Sequence, residues 1–149
     1  GLYARDNSGH SIKFSDLNSA KEVISSTAKI VSLDLNASGT MLAGAGEDGN
    51  LYLWDIGKNY AVTTLKFATS LSAVTFTPDG QQLIVGDRSG QLHLVRGGMV
   101  ARTLQGHSSQ IEDIKFNHAG TFMASASKDY TVRLWNFKEL TQPPILMSD

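Results

Sequence analysis

Three residue types in the C-terminal half of the chain could carry out acyl transfer. His107, Asp129 and a serine at position 125 or 127 are the members of a hydrolase triad, in which histidine activates the serine hydroxyl. An activated serine also needs an exposed, strained turn and an oxyanion hole, and the sequence around these serines contains no such turn. We therefore predict that these residues do not form a catalytic site.

A second candidate is the segment GAGEDG, residues 44–49, which has the spacing of the dinucleotide-binding fingerprint G-x-G-x-x-G. That fingerprint works between a strand and a helix whose N-terminus holds the pyrophosphate. The residues that follow, NLYLWD at 50–55, alternate like another strand. We therefore predict a hairpin turn at this position and no nucleotide or other cofactor.

Composition argues against metal and nucleic-acid binding. The chain has four histidines without the short spacing of a metal site, namely His10, His93, His107 and His118. It has no cysteine, which excludes disulfides and cysteine-based zinc sites. Thirteen Lys and Arg against 14 Asp and Glu give a net charge of −1, and the basic residues do not cluster. This balance predicts neither a nucleic-acid partner nor an acidic membrane.

The remaining bulk properties predict an ordinary globular protein. Of the 149 residues, 41% are hydrophobic and 18% are charged, which is enough apolar material for one core. No apolar run approaches the roughly 18 residues needed to span a bilayer, and no signal peptide is visible. Together with the lack of cysteine, these features predict a cytoplasmic protein.

The chain contains three copies of one sequence unit, which follow each other at steps of 41 and 40 residues. The units are IVSLDLNASGTMLAGAGEDGNLYLWD (30–55), LSAVTFTPDGQQLIVGDRSGQLHLVR (71–96) and IEDIKFNHAGTFMASASKDYTVRLWN (111–136). They align without gaps, so that Trp54 and Trp135 are equivalent and Val95 occupies the same position in the second unit.

Each unit predicts strands, because apolar residues alternate with a period of two in stretches such as LYLW and VRLW. Dipeptides such as Asp48-Gly49, Asp79-Gly80 and Ser89-Gly90 supply the positive φ angles of tight hairpins. A fourth apolar run follows each of the first two units. Short strands with turn signals predict an all-β protein, and a four-stranded unit that repeats at about 40 residues predicts a propeller blade.

The third unit, together with the preceding GHSSQ, resembles a WD repeat of the WD-40 β-propeller family. It has Gly106-His107, the Gly120 turn and Leu-Trp at its end, and only Asn136 departs from the usual final Asp. The first unit keeps Trp54 and the following Asp but has no Gly-His pair. The second lacks the Trp, the Gly-His pair and the turn Asp, where Ser89 stands. The resemblance covers nearly the whole chain.

The resemblance implies a structural role for the triad-like residues. In WD repeats, a histidine, a serine, an aspartate and a tryptophan bond to one another within a blade and so satisfy buried polar groups. The matching residues, which we call the tetrad, are His107, Ser125, Asp129 and Trp135, with Ser127 as the other candidate for the hydroxyl.

The resemblance also implies about half of a propeller ring, built from four-stranded antiparallel blades in one domain over residues 1–149. Full blades are expected at 29–69, 70–109 and 110–149, and a partial blade without its inner strand at 1–28. A half-ring exposes the apolar flanks of its terminal blades. We therefore predict self-association or pairing with the missing part of the ring, supplied by a second copy, a cleaved fragment or further sequence.

Residues that differ between units at equivalent positions of one rim are free for recognition, because the blade cores must repeat. The candidate partner-binding residues are Glu47, Arg88, Glu112, Asp113 and Lys128. We therefore predict a non-catalytic scaffold that presents this rim to a protein or peptide. One alternative is a sensor propeller of a larger protein, such as a bacterial signalling NTPase. The other is a propeller enzyme with its active site at the channel mouth, for which the sequence offers no cluster of acids, bases or metal ligands.

Overall fold

The computed structural model of the chain describes residues 3–5, 11–13, 24 and 26–140. Within these residues the regular secondary structure consists of antiparallel strands joined by turns, apart from a short 3-10 helix at Ile56–Lys58 and the four-residue helix α1 at Phe137–Leu140. The all-β prediction is therefore confirmed.

The strands form four separate antiparallel sheets. The first sheet pairs β1 (Tyr3–Arg5) with β2 (Ser11–Lys13). Blade 1 consists of β3 (Ile30–Leu35), β4 (Met41–Gly46), β5 (Asn50–Asp55) and β6 (Ala61–Lys66). Blade 2 consists of β7 (Leu71–Phe76), β8 (Leu83–Asp87), β9 (Leu92–Arg96) and β10 (Met99–Leu104). Blade 3 consists of β11 (Ile111–Phe116), β12 (Phe122–Ser127) and β13 (Val132–Asn136).

Strands pair in chain order within every blade, so each blade is a meander and the sheets do not close on themselves. This arrangement is that of a partial propeller. The outer strand that the repeat predicts for blade 3, at residues 142–149, lies outside the described residues, as does most of the partial blade predicted at 1–28.

A glycine with positive φ closes the turn between the first two strands of each blade. The φ angles of Gly39, Gly80 and Gly120 are 70°, 73° and 72°. Glycine adopts this left-handed conformation without the steric cost that a Cβ atom would add. The glycines on which the three units align in the sequence therefore mark one turn geometry that is built three times.

The same β-bulge interrupts the pairing of the first two strands in all three blades. In blade 1 the register shifts between Ile30 and Ser32, and blades 2 and 3 shift at the equivalent positions. The extra residues are Val31, Ser72 and Glu112. A bulge bends its strand and re-aims the extra side chain. These bulges lie at the end of the blades where the second and third strands are joined, which we call the rim.

Two apolar layers hold the blades together. One lies between blades 1 and 2 and includes Leu51 and Leu71, and the other lies between blades 2 and 3 and includes Leu92 and Ile111. Every residue of β8 is buried, because both faces of blade 2 are covered. Each large side chain buried in this way contributes about 1.5–3 kcal/mol.

Side chains of blade 1 also bond to the inner strand of blade 2. The backbone N–H of Phe76 donates to Asp34 Oδ2 over 2.7 Å, and that of Val74 donates to Ser32 Oγ over 3.2 Å. The inner strand β7 is an edge strand, so these N–H groups have no partner within their own sheet. The bonds fix the inner strands of the two blades relative to each other.

Candidate functional site

The four tetrad residues lie in one hydrogen-bonded chain in blade 3. The Trp135 indole N–H donates to Ser125 Oγ over 2.9 Å, and His107 Nε2 lies 2.7 Å from the same oxygen. His107 Nδ1 lies 2.9 Å from Asp129 Oδ2. Because an ionised carboxylate only accepts, Nδ1 carries the proton and Nε2 accepts the Ser125 hydroxyl hydrogen.

This chain has the connectivity of a hydrolase triad but not its accessibility. Ser125 is only 1% exposed, and the His107 side chain is buried as well. The Trp135 indole already occupies a lone pair of the serine oxygen. A nucleophile must reach its substrate beside a set of oxyanion donors. The geometry therefore supports a polar network that fills the blade.

Asp129 ties the rim turn of blade 3 to the segment that precedes β11. Its Oδ1 accepts from the Thr131 N–H over 2.8 Å and from the Thr131 hydroxyl, and its Oδ2 accepts from the Ser108 N–H over 3.0 Å. The Thr131 hydroxyl, followed by Ser108 and His107, holds the pKa of the Asp129 carboxyl well below its usual value, against the opposing effect of burial. The carboxylate is therefore charged at neutral pH.

Ser127, the other candidate for the tetrad hydroxyl, has different partners. Its hydroxyl donates to the Ser109 carbonyl over 2.9 Å and accepts from the Asp129 N–H over 3.1 Å. It therefore joins the rim turn to the segment before β11 but does not bond to His107. Ser125 is the serine that the structure brings to the histidine.

Blade 2 contains a buried polar network that the sequence reasoning missed. Asp87 Oδ2 lies 2.9 Å from His93 Nε2, and His93 Nδ1 lies 2.9 Å from Thr103 Oγ1. Asp87 Oδ1 accepts from the N–H and hydroxyl of Ser89 and from the Gln91 N–H. The side chain of Asp87 is 1% exposed. Burial alone would raise the pKa of Asp87, but the bonds from His93, Ser89 and Gln91 outweigh it and lower the pKa.

This network stands at positions that are not equivalent to the tetrad. Blade 2 fills the histidine, serine and tryptophan positions with Phe67, Val85 and Val95, which belong to the apolar layer against blade 1. The Phe67 ring lies beside the His93 ring, with centroids 4.8 Å apart. A comparison of equivalent positions cannot find such a network. The signal in the sequence is an aspartate that ends one apolar strand and a histidine inside the next.

Blade 1 keeps the tryptophan but replaces its partners. Gly44 stands at the serine position, and a Cβ atom there would lie 2.8 Å from the Trp54 ring, so the indole covers the glycine. The turn aspartate, Asp48, accepts from the Tyr52 hydroxyl over 2.5 Å and from the Asn50 N–H over 3.0 Å. The three blades therefore reach the same fold with three different sets of central side chains.

The five predicted rim residues lie at the bulges and at the turns between the second and third strands. Arg88 lies 3.8 Å from Glu47 across the junction of blades 1 and 2, and Lys128 lies 3.9 Å from Glu112 within blade 3. Asp113 follows the bulge and is exposed. Exposed pairs at such distances contribute only about 0–1 kcal/mol. Their partner-binding role remains a prediction.

The structure also bears on the glycine-rich segment, on metal binding and on membrane spanning. The segment at 44–49 ends β4 and turns directly into β5, so a strand follows it, as predicted. In the part of the chain that the structure describes, no three metal-ligating side chains cluster. Among the same residues, no helix has the length and apolar character needed to cross a bilayer.

Comparison with known families identifies the repeat. The sequence model described as "WD domain, G-beta repeat" matches residues 18–55 and 98–136, about half of the chain. The chain belongs to the WD-repeat family. The matches omit residues 56–97, which contain β6 of blade 1 and β7, β8 and β9 of blade 2. Blade 2 is therefore a WD-repeat blade in structure that lacks most of the sequence signature.

Relatives of this WD-repeat chain are longer proteins. Nuclear distribution protein PAC1 of Arthroderma otae is 32% identical over 124 residues, which are 74% of this chain and 27% of the relative. Protein SPA1-RELATED 3 of Arabidopsis thaliana is 29% identical over 113 residues, 72% of this chain and 13% of the relative. Transcription factor unc-37 of Caenorhabditis elegans is 28% identical over 104 residues, 69% of this chain and 17% of the relative.

The chain thus spans between 13% and 27% of the length of these relatives. WD-repeat domains generally mediate protein–protein interactions and generally act as non-catalytic scaffolds. This general role agrees with the burial of the triad-like residues of blade 3.

Proposed function

We propose that this chain is a non-catalytic scaffold that binds a protein or peptide through the rim of its blades. The observation that supports the proposal is that the backbone of the rim is the same in each blade, whereas the charged side chains on it differ from blade to blade. The bulge recurs at the equivalent position of each blade, and the equivalent turn residue has a positive φ in each. By contrast, Glu47, Arg88 and Lys128 occupy one equivalent position with both charge signs.

The rim turns are preorganised, which favours binding. In every blade an aspartate accepts at least one backbone N–H group at the turn that bears the rim charge. These aspartates are Asp48, Asp87 and Asp129. A rim held in this way loses little conformational entropy when a partner binds, so more of the contact energy appears as affinity.

The alternatives gain no support from these observations. The triad-like residues are buried, and their bonds are already satisfied within the blade. Neither the geometry nor the relatives named above favours a sensor of a signalling NTPase or a propeller enzyme.

We also propose that the apolar face of blade 3 that carries Val132 and Leu134 packs on a further blade, from a second copy or from the rest of the ring. Val132 of this face is 74% exposed, whereas Leu92, at the equivalent position of blade 2, is 1% exposed because blade 3 covers it. Leu134 is exposed in the same way. Contiguous apolar side chains of this kind mark interaction surfaces.

The rim proposal is tested by charge reversal. We expect the triple variant Glu47→Lys, Arg88→Glu, Lys128→Glu to lose most of the partner protein that the wild-type chain captures quantitatively from cell extract. Its melting temperature should stay within about 2 °C, because exposed substitutions change stability by less than about 0.5 kcal/mol. The matched control changes exposed residues in turns at the opposite end, Gln81→Lys and His118→Asp. If the control loses the partner and the rim variant keeps it, binding occurs at the other end of the blades.

The face of blade 3 is tested by sedimentation velocity and by binding of a hydrophobic dye. We expect the wild-type chain to self-associate or to bind the dye, and the variant Val132→Thr, Leu134→Thr to do so less. A wild-type chain that stays monomeric and binds no dye would contradict the pairing.

A further inference from the structure

The junction of blades 1 and 2 has a groove at the end of the blades opposite the rim. Its volume is about 150 Å³, and it lies between Met41 and Leu53 of blade 1 and Phe76 and Val95 of blade 2. All the residues that line it belong to the described part of the chain. Phe76 is equivalent to Phe116 of blade 3, so the junction of blades 2 and 3 shows which residue this groove lacks.

In blade 3 the chain itself supplies a phenylalanine at this place. Phe137 is 6% exposed, and its ring meets the ring of Phe116 edge to face, with centroids 5.0 Å apart. The backbone N–H of Phe137 donates to the Thr121 carbonyl over 2.9 Å. Blade 1 has the same backbone bond, from Ile56 to Thr40. The residue after the third strand therefore provides both an apolar side chain and a backbone donor.

Blade 2 provides neither of these groups. Gly97 stands at the equivalent position, because β9 turns into β10 through the hairpin Gly97-Gly98, with φ angles of 60° and 78°. Apart from its chain neighbours, no atom would lie within 4 Å of a Cβ atom on Gly97. In the described part of the chain, no backbone N–H donates to the carbonyl of Gln81, which is equivalent to Thr121 and lines the groove. The groove thus presents the Phe76 ring beside an unused acceptor.

One charged group of blade 1 lies beside the groove. Asp55 pairs with Met41 across β4 and β5, so the two side chains lie on the same face of the sheet. The Asp55 carboxylate lies 4.0 Å from the Lys58 ammonium, which is 79% exposed, and a pair this long and this solvated is weak. Arg96 follows Val95 in β9 and therefore points to the other face of blade 2. The groove thus faces a carboxylate, which favours a cation in the ligand.

We propose that this groove binds a phenylalanine residue of a partner protein that has a lysine or arginine next to it. The ring packs on Phe76 as the ring of Phe137 packs on that of Phe116. The N–H of the bound phenylalanine donates to the Gln81 carbonyl, and the neighbouring cation pairs with Asp55. This site lies at the end opposite the rim, so it is a second binding surface that goes beyond the proposed rim function.

The test uses nine-residue Gly/Ser peptides with a central Phe-Lys pair, and binding is followed by titration of the backbone amide chemical shifts of the wild-type chain. We expect the peptide to shift amides in residues 80–83 and 95–99. It should bind at least about tenfold more tightly than the matched Ala-Lys peptide, because burial of the ring supplies most of the affinity. Methylation of the phenylalanine nitrogen should weaken binding about threefold or more, because the donor is lost.

The charge of the groove is tested with a Phe-Glu peptide. It should bind more weakly than the Phe-Lys peptide at low salt, and the difference should shrink as salt is raised. Asp55→Asn should remove most of this preference without changing the loss caused by the Ala-Lys peptide.

Two further variants separate the groove from the rest of the surface. Met41→Trp places a larger side chain in the groove and should reduce the affinity for the Phe-Lys peptide about tenfold. The matched control is Phe122→Trp at the equivalent position of blade 3, which should bind the peptide like the wild type. Phe137→Ala empties the equivalent position at the junction of blades 2 and 3, so the peptide should then also shift amides in residues 120–122. Thermal unfolding shows that each variant keeps its fold.

Equal binding of the Phe-Lys peptide and its Ala-Lys or N-methylated counterpart would overturn the proposal, as would full affinity of Met41→Trp or shifts confined to residues outside 80–83 and 95–99. Self-association of the wild-type chain that Met41→Trp abolishes would assign the groove to a second copy and would overturn the proposal as well. The charge-reversed rim variant should bind the peptide like the wild type. If the peptide fails while that variant still loses its captured partner, only the groove is wrong. If the peptide binds while that variant keeps its captured partner, only the rim function is wrong.

Discussion

Blades 2 and 3 have the same strand order, bulge and turn geometry but different chemistry at their centres. Blade 3 contains the tetrad, whereas blade 2 has apolar side chains at three tetrad positions and a separate pair, Asp87 and His93. The family model matches the described strands of blade 3 and omits most of blade 2. The comparison teaches that alternating strands and turn glycines specify a blade, and that the polar network is one of several ways to fill it.

The two networks also reach different parts of the molecule. Asp129 bonds to His107 and Ser108, which precede the inner strand of blade 3, so it connects the rim turn to the junction with blade 2. The side chain of Asp87 bonds to His93 of β9 and to the turn between β8 and β9, and His93 bonds in turn to Thr103 of β10, so this network stays within blade 2. Loss of the blade 2 network should therefore weaken one sheet, and loss of the tetrad should also loosen a junction.

The largest effect is expected for Asp87→Ala. This change removes a buried carboxylate and leaves His93, Ser89 and Gln91 without their acceptor, so the free energy of unfolding should fall by about 3 kcal/mol. Urea unfolding measures the change. The matched control is Ser89→Ala, at the position equivalent to Asp129, which should cost less than about 1 kcal/mol. Equal losses would show that the turn, and not the buried pair, is what matters.

The next prediction tests whether the apolar residues that occupy tetrad positions in blade 2 can replace the tetrad residues of blade 3. His107→Phe alone should cost about 2 kcal/mol, because Ser125 and Asp129 lose a buried partner. Adding Ser125→Val, which copies a second residue of blade 2, should cost less than the sum of the single changes by about 1 kcal/mol. Strict additivity in a double-mutant cycle would mean that the two residues do not act as one network.

The pH dependence should show both networks at once. The pKa values of Asp87 and Asp129 are lowered in the folded chain, so each carboxylate stabilises the fold at pH values above its unfolded pKa of about 4. This contribution begins to fall near pH 4, where the carboxyl groups of the unfolded chain take up protons, and it is fully lost only below the lowered pKa values of the folded chain. We expect the urea midpoint to drop between pH 5 and pH 3, and to drop less for Asp87→Asn or Asp129→Asn. If the urea midpoint of a variant depends on pH in the same way as that of the wild type, the substituted carboxylate does not contribute to the loss of stability in acid.

The smallest effect is expected at the rim. Exchanging the charges of Glu47 and Arg88 in one double variant should change the free energy of unfolding by less than about 0.5 kcal/mol, because the pair is exposed and long. Thermal unfolding at low and high salt measures it. A loss above about 1 kcal/mol would show that this pair contributes to the junction of blades 1 and 2.

Much of the fold could be read from local sequence. The strands of blades 1 to 3 follow the alternating runs, and Gly39, Gly80 and Gly120 close the turns that their spacing predicts. The empty position at Gly97 could not be read in this way, because a hairpin glycine carries no sign of whether another side chain fills the space beside it. The Glu47–Arg88 contact could not either, because its residues lie on different blades and meet only when the blades pack.

The sequence by itself determined the repeat and the all-β class, because these depend on local periodicity and on equivalent positions in successive units. The tetrad was implied by the resemblance to WD repeats, and the structure brings Ser125 rather than Ser127 to His107. Only the tertiary structure decided that Asp87 and His93 replace the tetrad in blade 2. These two residues occupy different positions from the tetrad and meet because β8, β9 and β10 pair in one register. Their charge and polarity are tolerated there because every buried donor and acceptor of the pair finds a partner.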